Sequence, residues 1–355
     1  MEVYPVMIKK LLAAVSALLS VSVLAAYNPP AGGQNFLRLT EPQLLSGASS
    51  SAGGAIFSVT PASVVNNPAL TAFEQRIVLD LAGTMLFDSS DSNESVGGAT
   101  QAGILFPSRW GVSSFLLQGV WVPFDRMQVG NNIHFNASFS KDVTDKLAIG
   151  MSGNVGLFYG YDSDWLGAVD MGALYVFGDL AFMQNVRFSA ALLNLGKMYG
   201  ETTNHGIKGS DAADWPALAT PKAGVAATLF NNKKLEIGAS VDISATGFQN
   251  FVLDAGVQLV FGGIVNVASG WEYDAREYSE GAKNVMPSVG VSCKFMFNSK
   301  DGSFLTNKGW QQSEMTVSAA WQQMYKKINA VSVGALLNLG LKDTEAPKII
   351  LWGEE

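Results

Sequence analysis

The sequence predicts an all-β fold, a 14-stranded antiparallel transmembrane β-barrel with an N-terminal segment plugging its lumen, on three observations. From Arg76 onward, stretches of about ten residues alternate apolar with small or polar, and each is stopped by a turn. Ile133, Phe135, Ala137 and Phe139 oppose His134, Asn136, Ser138 and Ser140 in this way. Period two marks a strand whose two faces meet different surroundings. Charged residues make up only 15% of the chain, where a soluble domain carries about 25%; a large surface turned to lipid accounts for the shortfall. Finally, 48% of the residues are hydrophobic, yet past the N-terminus no run reaches the roughly 18 apolar residues of a spanning helix. The apolar residues are interleaved with polar ones.

The elements follow in chain order. Lys9-Lys10, the apolar run Leu11 to Leu24 and Ala25-Ala26 make a charged n-region, an h-region and a small-residue cleavage site. Residues 1–26 are therefore read as a signal peptide, with Met7 a second possible start and no Cys for a lipid anchor. Residues 27–75 are rich in Gly, Ala, Ser and Pro and have no clean period. They are too long for a linker, and Phe36, Leu39, Leu44, Leu45 and Phe57 require burial. A plug, or hatch, filling the barrel lumen provides it. Residues 76–341 form the barrel and 342–355 a short periplasmic tail, in which Asp343-Thr344 and Pro347-Lys348-Ile349 read like the opening of an Ig-like strand.

Within the barrel, strands are expected near 76–87, 98–107, 111–122, 131–140, 146–158, 165–177, 185–196, 219–229, 234–243, 250–260, 264–274, 286–297, 313–322 and 328–340. The count is even, as single-chain bacterial barrels require. About ten residues at ~3.3 Å each, tilted near 40°, match the roughly 25 Å apolar band. Turns after odd strands are generally longer, which places them outside the cell and both termini in the periplasm. Leu235, Ile237, Val241 and Ile243 should face lipid, opposite Glu236, Gly238, Ser240 and Asp242. Val289, Val291, Cys293 and Phe295 should do the same. Trp165, Tyr175, Phe177, Trp271, Tyr273 and Trp321 fall near strand ends, where aromatic girdles sit. The third strand is apolar on both registers. Its inner residues Leu116, Val120 and Val122 form a candidate lumenal apolar wall, against which either the plug or an apolar ligand packs.

A net charge of −7 argues against nucleic acid, which calls for clustered Lys and Arg. The lone Cys293 forms no internal disulfide. No catalytic constellation, phosphate loop or nucleophile elbow is present, so the chain reads as a non-enzyme without cofactor or metal. His134 and His205 are far apart, and His134 reads as a lumenal polar residue. The carboxylates of Asp88-Ser89-Ser90-Asp91 and Asp162-Ser163-Asp164 read as solvated loop groups rather than Ca²⁺ ligands. The many glycines on strands suit kinks and close approach of the plug.

One motif is specific. Ala62-Ser63-Val64 followed by Asn67-Pro68-Ala69, after the small residues Gly53-Gly54-Ala55 and just before the first strand, resembles the N-terminal hatch of the FadL family of outer-membrane long-chain fatty-acid transporters. Pro68 fixes φ and biases Asn67 to an extended backbone, while the Asn side chain bonds neighbouring backbone groups. The resemblance implies fourteen strands, a lumenal hatch, a hydrophobic ligand site and a lateral opening at the third strand. It implies a passive outer-membrane uptake channel for hydrophobic compounds, long-chain fatty acids first among them, gated by the hatch. The expected partners are such a ligand, outer-membrane lipid and the barrel-assembly machinery. The rival reading is a FadL-like barrel serving as a secretion or protein-binding scaffold, with no small-molecule transport; a general porin is disfavoured by the plug.

Overall fold

The computed structural model describes residues 29–88, 96–123, 127, 129–160, 162–200, 203–204, 207–208, 215–279, 286–298, 312–325 and 327–340. The signal peptide (1–26), the tail (342–355) and His205 lie outside the described residues. Fourteen strands form one closed antiparallel sheet. They are β1 (Ile77–Asp88), β2 (Val96–Ser108), β3 (Gly111–Trp121), β4 (Asn131–Asp142), β5 (Leu147–Tyr159), β6 (Ser163–Leu180) and β7 (Met183–Lys197). The series continues with β8 (Thr220–Asn231), β9 (Leu235–Thr246), β10 (Asn250–Phe261), β11 (Val265–Asp274), β12 (Ser288–Asn298), β13 (Gln312–Met324) and β14 (Ile328–Leu339). The ring closes where β1 pairs with β14, in unbroken register from Ile77↔Leu339 to Asp88↔Ile328. A small two-stranded ladder, Thr203–Asn204 with Ile207–Lys208, stands apart in the β7–β8 connection.

Closure satisfies every strand edge, which is the condition for standing in hydrocarbon. Alternation then sorts the side chains. Leu81, Met85, Ile133, Phe135, Met151, Val257, Phe295 and Val333 are exposed on the outside, while Asp80, Gln101, Gln118, Asn136, Ser152 and Asp242 on the same strands are buried. Apolar outside and polar inside is the inverse of a soluble protein, so the barrel is a transmembrane one of the bacterial outer-membrane type. Cys293 shares the outward register of Val291 and Phe295, between Val265 and Val317.

Every expected strand is present, with ends that differ by a few residues. Three expectations change. The third strand carries no break: its ladders to β2 and β4 run without a register shift from Gly98↔Trp121 to Ser108↔Gly111 and from Val112↔Ser140 to Trp121↔Asn131. The irregular seam lies elsewhere, between β6 and β7, with shifts at Val169/Met171, Val176/Gly178 and Gly178/Leu180. Turn length also alternates less cleanly than expected, since the β5–β6, β9–β10 and β13–β14 connections are tight although they follow odd strands.

Residues 29–75 lie inside this ring. They form short 3-10 helices at Phe36–Thr40, Pro61–Val65 and Pro68–Phe73, with one helical turn at Pro42–Leu45. Each of these turns carries Pro at its start or is preceded by an extended cap residue, as Pro's fixed φ favours. The segment meets the inner faces of strands right around the ring, from β1 to β6 and from β12 to β14.

Candidate functional site

The Asn67-Pro68-Ala69 motif is a seat. Asn67 is extended (φ −167°, ψ 117°) and caps the helix Pro68–Phe73, its Oδ1 accepting from Ala69 N at 2.9 Å. Its Nδ2 donates to Ser51 O at 2.9 Å within the segment and to Ala173 O of β6 at 3.1 Å. Asn67 is wholly buried, so each of these bonds replaces one to water and its loss leaves an unsatisfied group. The barrel wall makes room with glycine. A Cβ on Gly150 of β5 would stand 2.5 Å from the Pro68 carbonyl, and one on Gly172 of β6 would strike the Asn67 side chain. Gly103 does the same for Pro61, Gly256 and Gly270 for Gly47, and Gly290 for Ser46. The strand glycines that face inward are thus the footprint of the segment.

Polar bonds fasten the rest. Thr71 Oγ1 meets Ser140 Oγ at 2.7 Å, Ser51 Oγ meets Ser189 Oγ at 2.7 Å, and Ser51 N donates to Asp242 Oδ2 at 2.7 Å. Arg187, on β7 and wholly buried, lays its guanidinium 4.8 Å over the Phe57 ring and donates from Nη2 to the Gly54 carbonyl at 3.0 Å. Higher in the lumen, Arg38 bridges Asp254 of β10 (2.9 Å) and Glu272 of β11. Burial alone would lower the Arg38 pKa, but Asp254 and Glu272 outweigh it and raise it, so the guanidinium stays charged. Glu41, buried against β1, is pushed well up by burial and by the neighbouring Asp80 carboxyl.

Leu116, Val120 and Val122 are buried on the inner face of β3. Leu116 packs on Leu44, Ala62 and Val64, while Val120 and Val122 join the cluster around Phe36, Leu39 and Leu45. The segment covers them, and they do not line either lumenal cavity described below. As a ligand-facing wall the three residues are therefore corrected: their apolar character serves the segment.

At the end of the barrel away from the Asn67 seat, the lumen is shut by rings. Phe36 sets its edge on His134 (4.9 Å between centroids) and on Trp215 (5.7 Å), and Trp215 packs on Tyr199 (4.9 Å) and Phe158 (5.9 Å). Tyr199 Oη and His134 Nε2 are hydrogen bonded at 2.8 Å. Burial, with Asp164 nearby, raises the Tyr199 pKa and keeps its phenol protonated. Tyr199 and Trp215 come from the β7–β8 connection, where they pair backbone to backbone and dip into the mouth. The sequence reading placed that connection wholly outside; the apolar run Trp215-Pro216-Ala217-Leu218 was the signal that it folds inward. Asp164 is engaged with Lys197 at 2.6 Å and with Gly200 N at 2.8 Å, which leaves it committed to the rim.

Between the aromatic cap and the segment lies a cavity of about 90 Å³, lined among others by Phe36, Arg38, Gln118, Asn136, Asp170 and Lys222. A smaller one, of about 40 Å³, adjoins it beside Arg38, Asp254 and Glu272. The lining of the larger is mostly polar. No group of His, Cys, Asp and Glu among the described residues is arranged to hold a metal.

No family model and no curated protein matches the chain in sequence. Solved structures match in shape. The TodX deltaS2S3 mutant monoaromatic hydrocarbon channel aligns with TM-score 0.50 at 10% identity, over 83% of this chain and 99% of that one. The Ralstonia pickettii toluene transporter TbuX gives 0.46 at 12% identity, over 84% and 97%, and a Pseudomonas aeruginosa FadL homologue 0.46 at 12%, over 83% and 96%. At such identities the likeness concerns the fold, which is the FadL type.

Proposed function

We propose that this barrel is a passive outer-membrane uptake channel for hydrophobic compounds, with residues 27–75 as the plug that opens and closes it. One observation carries the reading. Among the described residues, every backbone–backbone hydrogen bond made by 29–75 stays within the segment. The wall is a continuous ladder, and the segment is fastened to it only by side chains and by close packing. Such an element can shift without unzipping a strand, and so at a cost of a few hydrogen bonds rather than the fold. The lumen it vacates already holds a cavity beneath the aromatic cap.

The finer expectation, a long-chain fatty acid, requires more than the closed state offers. A cavity of about 90 Å³ is smaller than the roughly 150 Å³ that accommodates a benzene-sized ring. A fatty acyl chain passes only once the plug has moved. The test is uptake of radiolabelled toluene and oleate by cells that carry the chain or an empty vector. Faster uptake of either compound supports the channel. Rates equal to the vector for both would refute it.

A further inference from the structure

The cavity beneath the aromatic cap has chemistry of its own, and the following rests on the channel reading. A chain of polar groups crosses four strands at its wall. Asn136 Nδ2 of β4 donates to Asn154 Oδ1 of β5, and Asn154 Nδ2 donates to Asp170 Oδ2 of β6. Asp170 also accepts from Ser152 Oγ at 2.9 Å and, through Oδ1, from Asn194 N of β7 at 2.7 Å. Asp170 sits opposite the β6–β7 register shift, so its carboxylate caps the backbone group that the ladder leaves over. All four side chains Asn136, Asn154, Asp170 and Asn194 line the cavity.

The order of donation has a direction. Each carboxamide gives its N–H toward the carboxylate, which increases the negative charge on its own carbonyl oxygen and strengthens the next bond along. The chain ends at Asn136 Oδ1, which accepts no hydrogen bond in the protein although Asn136 is only 5% exposed. A strong, neutral acceptor therefore terminates the relay.

Charge around the cavity points the same way. Its two cations are already bound: Arg38 by Asp254 and Glu272, Lys222 by Asp242 at 3.3 Å and Asn66 Oδ1 at 3.1 Å. Against Arg38 and Lys222 stand Asp170, Asp242, Asp254 and Glu272, so no cation is spare and an anion is repelled.

We infer that this cavity is a selective subsite for compact neutral compounds bearing a hydrogen-bond donor, such as phenols and short alcohols, and that it disfavours carboxylates, fatty acids included. The donor is received by Asn136 Oδ1, while Phe36 and Leu166, on the same lining, meet the apolar body. A ring fills the site when the neighbouring Leu37 and Gln34 of the plug give way, which links occupancy to plug movement.

Three ring compounds of one size isolate the head group: 4-fluorophenol (neutral donor), fluorobenzene (no donor) and 4-fluorobenzoate (anion). Their ¹⁹F resonances are titrated against the detergent-solubilised full chain, with partition into protein-free micelles subtracted. The expected ranking places 4-fluorophenol about tenfold or more above the other two, the scale of one hydrogen bond to a buried acceptor. Asn136→Leu, or Asn136→Ala should the first fail to fold, is expected to remove that preference and leave fluorobenzene binding unchanged or improved. Fluorobenzene or 4-fluorobenzoate binding as tightly as 4-fluorophenol to the wild type overturns the inference while the channel stands. A preference that survives in a folded Asn136 variant also overturns it. If none of the three binds, the subsite is refuted, and the uptake assay above decides separately whether the channel reading falls with it.

Discussion

Two glycines of the same strand offer a direct test of how the plug is held. Gly150 and Gly153 both lie on β5, on opposite faces. A Cβ on Gly150 would stand 2.5 Å from the carbon and oxygen of the Pro68 carbonyl and 2.6 Å from Ala69 N, whereas one on Gly153 meets nothing within 4 Å. The obstructing atoms are all backbone, so no rotamer relieves the clash. In Gly150→Ala the helix Pro68–Phe73 has to retreat by about 1 Å, in a lumen packed too tightly to absorb it. That retreat breaks the wall bonds Asn67 Nδ2–Ala173 O and Thr71 Oγ1–Ser140 Oγ, at about 1 kcal/mol each. Overpacking adds about 1–3 kcal/mol. Together the closed arrangement loses roughly 3–5 kcal/mol, a shift of a few hundredfold or more toward the displaced plug. Trypsin reports the outcome through Arg38, which is half-buried in its ion pairs when the plug is seated. Gly150→Ala should be cut at Arg38 at least tenfold faster than wild type while the barrel keeps its heat-modifiable migration. Gly153→Ala should behave as wild type. Equal resistance in all three proteins, with the Gly150 variant folded, would refute the seat.

Other outcomes follow from the same geometry. Cys293, on the lipid-facing register, should react slowly with a charged maleimide in membranes and readily after denaturation; a fast native reaction would mean that β12 is turned inward. Glu41 is protonated more readily in its buried place beside Asp80 than in the unfolded chain, so the native plug binds the extra proton. Its hold is complete below the ordinary carboxylate range and weakens as pH rises above it. Trypsin cleavage at Arg38 should therefore increase with pH in the wild type and lose that dependence in Glu41→Gln. A tag inserted at Gly206 should be reached by antibody on intact cells and one at Asn232 should not; the reverse pattern would invert the orientation.

The barrel was legible because its signal is repeated. Fourteen alternating stretches reinforce one another, and a face assigned on one strand, such as Val241 against Asp242, constrains its neighbours. The Asn67-Pro68-Ala69 seat was legible for a local reason, since a proline fixes its own φ and restrains the residue before it. The aromatic cap was not. Phe36, His134, Phe158, Tyr199 and Trp215 are scattered along the chain and meet only because the β7–β8 connection folds inward. In β4, His134 and Asn136 were both read as lumenal polar residues, although one joins an apolar cap and the other ends a polar relay. Alternation gives the face of a side chain; it does not give the depth along the barrel or the partner across it. The third strand shows the same limit from the other side. Its apolar inner face is real, but only the packing of Leu44, Ala62 and Val64 on Leu116 distinguishes a plug seat from a ligand wall.

The central claim is that the plug must move for solutes to cross. Ser51 on the plug and Ser189 on β7 have their Oγ atoms 2.7 Å apart, close enough for a disulfide if both are Cys. In the variant Ser51→Cys, Ser189→Cys and Cys293→Ser, the account predicts that toluene uptake falls to the empty-vector rate under oxidising conditions and recovers when reductant is added. Uptake at the wild-type rate with the disulfide fully formed would contradict it.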